Sequence, residues 1–247
     1  WDRKVSIYLF DRRTGRLSRR IAGLPNVVKH LAFSRDGRLL VATLGGANGI
    51  RVFRVRDGGE VKRDTAYGDS SYGADFDAAG RLVTTSYDGK VRLYDPDLNL
   101  AVTVSAPGGQ RPHGIGFSPD GRRIVVGYFD STRVDVLSGE DLRLLFSADS
   151  DGTNFDLNAV AWSADGAVLY TAGRYDDGTG MNPIRRWTKA GRGPYRDLPG
   201  PRSTVMGLRA LADGRLVFGS ADPAWGVLNA AGELVHHQRP EIADPSG

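Results

Sequence analysis

Residues 73–95, GADFDAAGRLVTTSYDGKVRLYD, hold three short apolar–polar alternations divided by two turns. Residues 74–76 open a strand, and Asp77-Ala78-Ala79-Gly80 turns it. Residues 82–86, rich in Val and Thr, suit a pleated and half-buried surface. Tyr87-Asp88-Gly89-Lys90 reads as a second turn, and residues 91–94 as a third strand. The Ala-Gly and Asp-Gly pairs supply the left-handed backbone that tight hairpins need. After Pro96-Asp97, residues 100–105 predict a fourth strand.

The unit returns along most of the chain. Its first turn recurs as Ser34-Arg35-Asp36-Gly37, Ser118-Pro119-Asp120-Gly121, Ser163-Ala164-Asp165-Gly166 and Leu211-Ala212-Asp213-Gly214. Counting Gly80, the turn glycines are 43, 41, 45 and 48 residues apart. The third strand recurs as VSIYLFD from Val5, IRVFRV from Ile50, TRVDVL from Thr132, PIRRWT from Pro183 and WGVLN from Trp225. Four strands in about 40–45 residues is the spacing of a β-propeller blade.

These repeats resemble the WD40 family over nearly the whole chain. FSPDGRR from Phe117, followed by a β run, is a specific match, and Phe10-Asp11, Tyr94-Asp95 and Trp187-Thr188 stand where that family ends its repeat with Trp-Asp. The Gly-His that precedes the family's first strand is missing in every copy, with only Pro112-His113 near it. The family's His–Ser–Asp network is therefore not expected in full. The resemblance implies structural turn roles for Asp88 and Asp130. It extends to divergent bacterial WD40 proteins, some of which carry a caspase-like protease domain, so an effector domain attached elsewhere is an implied possibility.

The expected fold is all-β: a WD40-like propeller spanning 1–238, with a C-terminal linker at 239–247. Five blades are complete, at about 27–64, 72–105, 113–146, 158–198 and 205–237. A sixth, at about 1–22, has only its third and fourth strands. Exposed strand edges are selected against, so the half-blade points to a portion of a larger ring. A six-part ring with one thin blade is the alternative.

Composition narrows the function. Thirty-three basic against 29 acidic residues give a formal charge of +4. Lys and Arg are scattered, whereas nucleic-acid surfaces carry a dense stripe, so no nucleic acid is expected. With no cysteine, disulfides, thiolate nucleophiles and cysteine-held metals are excluded within these residues. No run reaches membrane-spanning length. A soluble protein is expected, with bacterial cytoplasm and periplasm both open as compartments.

Catalytic signatures are weak. Tyr67-Gly68-Asp69-Ser70-Ser71-Tyr72 lacks the Gly-x-Ser-x-Gly turn of a nucleophile elbow. Four histidines, His30, His113, His236 and His237, offer few bases. Asp149, Asp151 and Asp156 are a weak Ca²⁺ candidate, because the spacing departs from an EF-type loop. No cofactor is expected. The longer link at 173–183 puts Arg174 and Tyr175 forward as contact residues, since long loops on a scaffold often carry binding.

By analogy with propellers, residues just before each first strand gather near the channel entrance. These are Asn26, Tyr72, Arg111 and His113, Asn158, and Arg202. The aromatics Phe33, Phe53, Phe76, Tyr94, Phe117, Trp162 and Trp187 occupy matched positions and are expected in the core. The expectation is a non-catalytic module that binds protein or peptide partners through the entrance face and the long loops. The alternative is a propeller that uses its channel for catalysis, or for a small ligand or Ca²⁺.

Overall fold

A computed structural model describes residues 5–239. The expected tail at 239–247 lies, apart from Arg239, outside the described residues. Five four-stranded antiparallel sheets and one two-stranded sheet account for the strands, each sheet a meander in chain order. This is a β-propeller built from four-stranded blades.

The described residues divide into two compact units, 5–106 with 110–115, and 107–109 with 116–239. In the first unit, among the described residues, β1 (Val5–Phe10) pairs only with β2 (Leu17–Leu24). The second blade comprises β3 (Val28–Phe33), β4 (Leu39–Leu44), β5 (Ile50–Arg54) and β6 (Glu60–Asp64). The third comprises β7 (Ser71–Phe76), β8 (Leu82–Ser86), β9 (Lys90–Tyr94) and β10 (Leu100–Ser105).

The boundary between units falls within β11 (Pro112–Phe117), the first strand of the fourth blade. The second unit continues that blade with β12 (Arg123–Tyr128), β13 (Val134–Ser138) and β14 (Leu144–Ser147). It then forms β15 (Ala159–Trp162), β16 (Leu169–Ala172), β17 (Ile184–Trp187) and β18 (Tyr195–Leu198). Its last blade is β19 (Val205–Ala210), β20 (Leu216–Ser220), β21 (Trp225–Leu228) and β22 (Leu234–Gln238).

One turn chemistry recurs. The hydroxyl of Ser34, Ser118 or Ser163 donates to the carboxylate two residues on, at 2.6 Å in each copy. The same oxygen accepts the backbone N–H of Leu39, Arg123 or Val168 at 2.9–3.0 Å. Gly37, Gly121 and Gly166 close these turns with φ of 67–70°, a conformation that costs glycine nothing. In the third blade Asp77 replaces the serine, accepting from Ala79 N–H at 3.0 Å and Arg81 N–H at 2.8 Å.

Second strands are the most buried. Leu40, Val41, Leu82, Val83, Ile124 and Val125 are fully enclosed. Fourth strands such as β6 and β10 alternate between exposed and half-buried positions. Cores form between neighbouring blades: Val41, Ile50, Phe76, Leu82 and Tyr94 in the first unit, and Val125, Val136, Trp162, Leu169 and Trp187 in the second.

Six of the seven matched aromatics are buried, but Phe33 is 52% exposed. This corrects its expected core role. Phe76, its counterpart, is covered by the four-stranded second blade, whereas the sheet beside β3 is only β1–β2, packed through Ile7 and Ile21 against Leu40, Ala42 and Phe53. Leu31, also on β3, is exposed for the same reason.

A tyrosine network stands in the third blade. The Tyr94 hydroxyl donates to Asp64 at 2.8 Å, and the Tyr67 hydroxyl shares hydrogen bonds with Tyr94 (2.9 Å) and Thr84 (2.8 Å). Arg92 lies 3.9 Å from the centre of the Tyr67 ring and pairs with Asp88 at 2.6 Å. Burial pushes the Tyr67 hydroxyl up to about 12, so it stays protonated and available as a donor.

Candidate functional site: an aromatic and cationic cluster at the starts of β7 and β11

Among the residues singled out in the sequence, Tyr72, Arg111 and His113 come together in the first unit. Tyr72 is the second residue of β7 and His113 the second of β11. Their rings lie 4.9 Å apart, tilted by 31°. Tyr87, from the β8–β9 turn, stacks on Tyr72 at 4.0 Å with an interplanar angle of 24°. The Tyr87 and His113 rings are 6.1 Å apart. All three are half-buried, so each holds a fixed position and still presents surface.

Backbone packing sets this geometry. Ser71, fully buried, donates its hydroxyl to the Thr85 carbonyl at 2.9 Å. Tyr87 N–H donates to the Ser70 carbonyl at 2.9 Å, tying the β8–β9 turn to the segment before β7. Gly73 N–H donates to Thr85 Oγ1 at 2.9 Å, and that hydroxyl donates to the His113 carbonyl. A Cβ on Gly73 would collide with the His113 carbonyl oxygen and stand 2.7 Å from Thr85 Oγ1. The bare glycine lets β7 and the start of β11 approach, and so brings Tyr72 to His113.

Two exposed cations flank the rings. Lys29 Nζ, from β3, sits 5.2 Å from the centre of the Tyr72 ring. The Arg111 guanidinium sits 5.7 Å from that of Tyr87. Both distances are within cation–π range. Asn26 lies beside this group: its side-chain oxygen accepts Val27 N–H at 2.7 Å, and Gly45 packs against both Asn26 and Lys29. Gly46 N–H donates to Ser70 Oγ at 2.8 Å, joining the β4–β5 link to the segment before β7.

The second unit disposes its expected site residues differently. Tyr175 is buried, its hydroxyl donating to Asp197 at 3.0 Å, and Asn158 is buried too. Expected as contact residues, both are interior instead; Tyr175 is held by Asn182, whose amide donates to the Tyr175 carbonyl at 3.1 Å, while residues 177–180 of the same link are exposed. Arg174 remains half-exposed, 4.7 Å from the centre of the Phe129 ring and ion-paired with Asp156. Arg202 is exposed in the segment before β19.

Of the three aspartates weighed for Ca²⁺, Asp156 is thus held by a guanidinium. Asp149 Oδ1 accepts Asp151 N–H at 2.9 Å, closing a local turn. Their carbonyls serve the fold: Asp149 accepts from Trp187 Nε1 at 2.8 Å, and Asp151 from Arg185 at 2.7 Å. Among the described residues, no three His, Cys, Asp or Glu side chains are placed to share a metal. Among them, too, no helix is long and apolar enough to cross a membrane.

The two turn aspartates differ. Asp88 accepts N–H groups from Gly68 (3.0 Å) and Lys90 (3.1 Å) besides pairing with Arg92. Burial would push its carboxyl up, but Arg92 and the two N–H donors outweigh that and hold it below the ordinary aspartate value. Asp130 sits in the β12–β13 link near Gly109. A separate groove by Arg38 and Arg54, in the second blade, has these arginines paired with Asp36 and Asp57 at 3.1 Å each.

Tyr87 and Lys29 are cluster members that the sequence reading did not single out. Tyr87 lies in the link between second and third strands, where the sequence reads it only as part of a turn. Lys29 differs from other scattered lysines only in facing Tyr72, which chain order alone does not reveal.

Residues 65–95 match the WD40 family profile described as "WD domain, G-beta repeat". A search of curated proteins finds none that matches by sequence. Among solved structures, a chain of the "Crystal Structure of Mitotic Checkpoint Complex" aligns with a TM-score of 0.79 at 17% identity, covering 97% of this chain and 75% of that one. At that identity the likeness concerns the fold alone. The sequence match to that family covers one repeat, and the β-propeller fold extends along the chain.

Proposed function

We propose that this propeller is a non-catalytic interaction module that binds a protein or peptide partner through the surface around Tyr72, Tyr87, His113, Arg111 and Lys29. The observation that carries this reading is the ring cluster: two stacked tyrosines and a histidine, half-buried, held by backbone hydrogen bonds and bordered by two exposed cations. Aromatic residues and arginine dominate binding hot spots, because they combine large contact area with directional hydrogen bonds. Prior fixation of the rings lowers the entropy cost of ordering them on association. The WD40 fold fits the same role, being typically a scaffold for protein contacts, and the aligned solved chain is itself part of a complex.

Affinity capture from a lysate of the source organism tests the reading. Wild-type protein is compared with Tyr72→Ala and Arg111→Ala at matched melting temperatures. The expected result is a captured protein lost with both variants. Identical captured sets for all three proteins would overturn the assignment of this surface.

A further inference from the structure

We infer that the turns following β1, β3 and β5 form a second docking surface, which takes a short acidic segment of a partner protein beside Arg38 and Arg56. It is separate from the ring cluster, which lies toward the starts of β3 and β7, and it stands independently of that assignment.

Sequence and topology concentrate positive charge here. Residues 5–64, the half-blade and the second blade, carry thirteen basic side chains against five acidic ones. Alternate connections of an antiparallel meander share one end, so the β3–β4 and β5–β6 turns fall together, and Val55 N–H donates to the Arg38 carbonyl at 2.8 Å. The β1–β2 hairpin joins them: Arg19, on β2, donates to the Arg56 carbonyl at 2.7 Å and the Asp57 carbonyl at 3.0 Å. The first turn contributes Arg12, Arg13 and Arg16, all exposed and with no ion pair among the described residues. The second contributes Arg38 and the third Arg56, each with its side chain 83% exposed.

The carboxylates in and beside these turns are fewer and shared. Asp36 faces Arg38 at 3.1 Å, and Asp57 serves both Arg54 (3.1 Å) and Arg56 (3.4 Å). Asp11 accepts from the Thr14 N–H at 2.7 Å and its hydroxyl at 2.8 Å. Asp75 pairs with Arg35 at 3.6 Å, and Glu60 with Arg51 at 3.3 Å and Arg63 at 2.8 Å. Ten arginines thus stand against five carboxylates. Exposed pairs hold weakly, so a partner carboxylate can draw Arg38 or Arg56 from its local aspartate, using the forked geometry of the guanidinium. Both arginines line an open groove of about 590 Å³, where half-buried Leu39 and Val55 offer apolar surface to a side chain beside the acid.

The patch is also short. The third blade adjoins it, Arg35 Nε donating to the Phe76 carbonyl at 3.0 Å. Its corresponding turns, 77–81 and 95–99, carry Asp77, Asp95 and Asp97 against Arg81. A polynucleotide backbone follows a continuous basic groove, which this change of sign interrupts. A short acidic segment fits within it.

Selection from a random peptide display library tests the assignment. It is run on wild-type protein, on the double variant Arg38→Glu/Arg56→Glu, and on Arg143→Glu, whose arginine pairs with Asp141 as Arg38 does with Asp36. Expected are peptides rich in Asp and Glu that bind wild type, Arg143→Glu and Tyr72→Ala alike. A representative synthetic peptide should lose about tenfold in affinity to the double variant and weaken as salt rises. Arg38→Gln/Arg56→Gln removes the charges without adding acid; it should weaken the same peptide, and it serves where charge reversal perturbs folding. Peptides that depend on both arginines but are neutral or basic would overturn the inference. So would the absence of any peptide that depends on them, or tighter binding of an oligothymidine at the same arginines. None of these results touches the ring cluster, whose own test is the loss of capture with Tyr72→Ala.

Discussion

At the scale of single residues, Asp88 and Arg92 make the sharpest prediction. Their side chains are 9% and 5% exposed. Removing one member of a buried pair leaves an uncompensated charge and typically costs about 3–5 kcal/mol. Asp88→Ala is therefore expected to destabilise by about 3 kcal/mol, read from the midpoint of denaturant unfolding. An unchanged midpoint would contradict the pair's role. The same carboxyl gives a pH dependence. Its value in the folded protein lies below the ordinary 3.8, so the unfolded chain binds the proton first. Its stabilisation is fully present above the ordinary value and is lost as pH falls through the depressed one. Asp88→Asn should accordingly flatten the acid limb of a stability–pH profile. Asp88 was legible in the sequence as a turn residue, but Arg92 was not, since nothing in VRLYD marks which side chain folds back onto the turn. Gly73 was equally silent: its importance comes from the carbonyl of His113, forty residues away, and not from a turn. Gly73→Ala is expected to lower the melting temperature and to weaken partner binding together, because the new methyl separates β7 from β11.

At the scale of strands and turns, the repeat made most of the fold readable. Period-two alternation and the Ser-x-Asp-Gly turns recur in register, and the hydrogen bonds that close those turns are nearly identical from copy to copy. The sequence could not show what covers each copy. Phe33 and Phe76 occupy the same place in their blades, yet one is 52% exposed and the other fully buried. Cavity formation in a packed core makes Phe→Ala cost about 3–5 kcal/mol, while a surface truncation stays near about 0.5 kcal/mol. Phe76→Ala should thus be severe and Phe33→Ala mild in the same unfolding assay; equal effects would contradict the packing described for β3. The 173–183 link shows the opposite failure of sequence reasoning. Its length suggested an outward binding loop, but Asn182 and Tyr175 anchor parts of it inward, while Arg174 and residues 177–180 stay exposed.

For the molecule as a whole, the functional reading depends on residues from three separate stretches of sequence. Tyr72, Arg111 and His113 were legible as occupants of equivalent places before first strands. Their mutual contact, and the parts of Tyr87 and Lys29, depend on how blades pack and were not. Metal has no assigned part in this account: Asp156 is engaged by Arg174, and the Asp149 and Asp151 carbonyls by the core. Treatment with EDTA is accordingly expected to leave the melting temperature unchanged, and a clear drop would reopen the Ca²⁺ reading. The central claim is that the Tyr72–Tyr87–His113 cluster is where a partner binds. Hydrogen–deuterium exchange of the protein with and without its captured partner tests it most directly. Slowed exchange is predicted in the amides of residues 70–73, 87–89 and 111–113; protection confined to other segments, such as 173–183, with these amides unaffected, would contradict it.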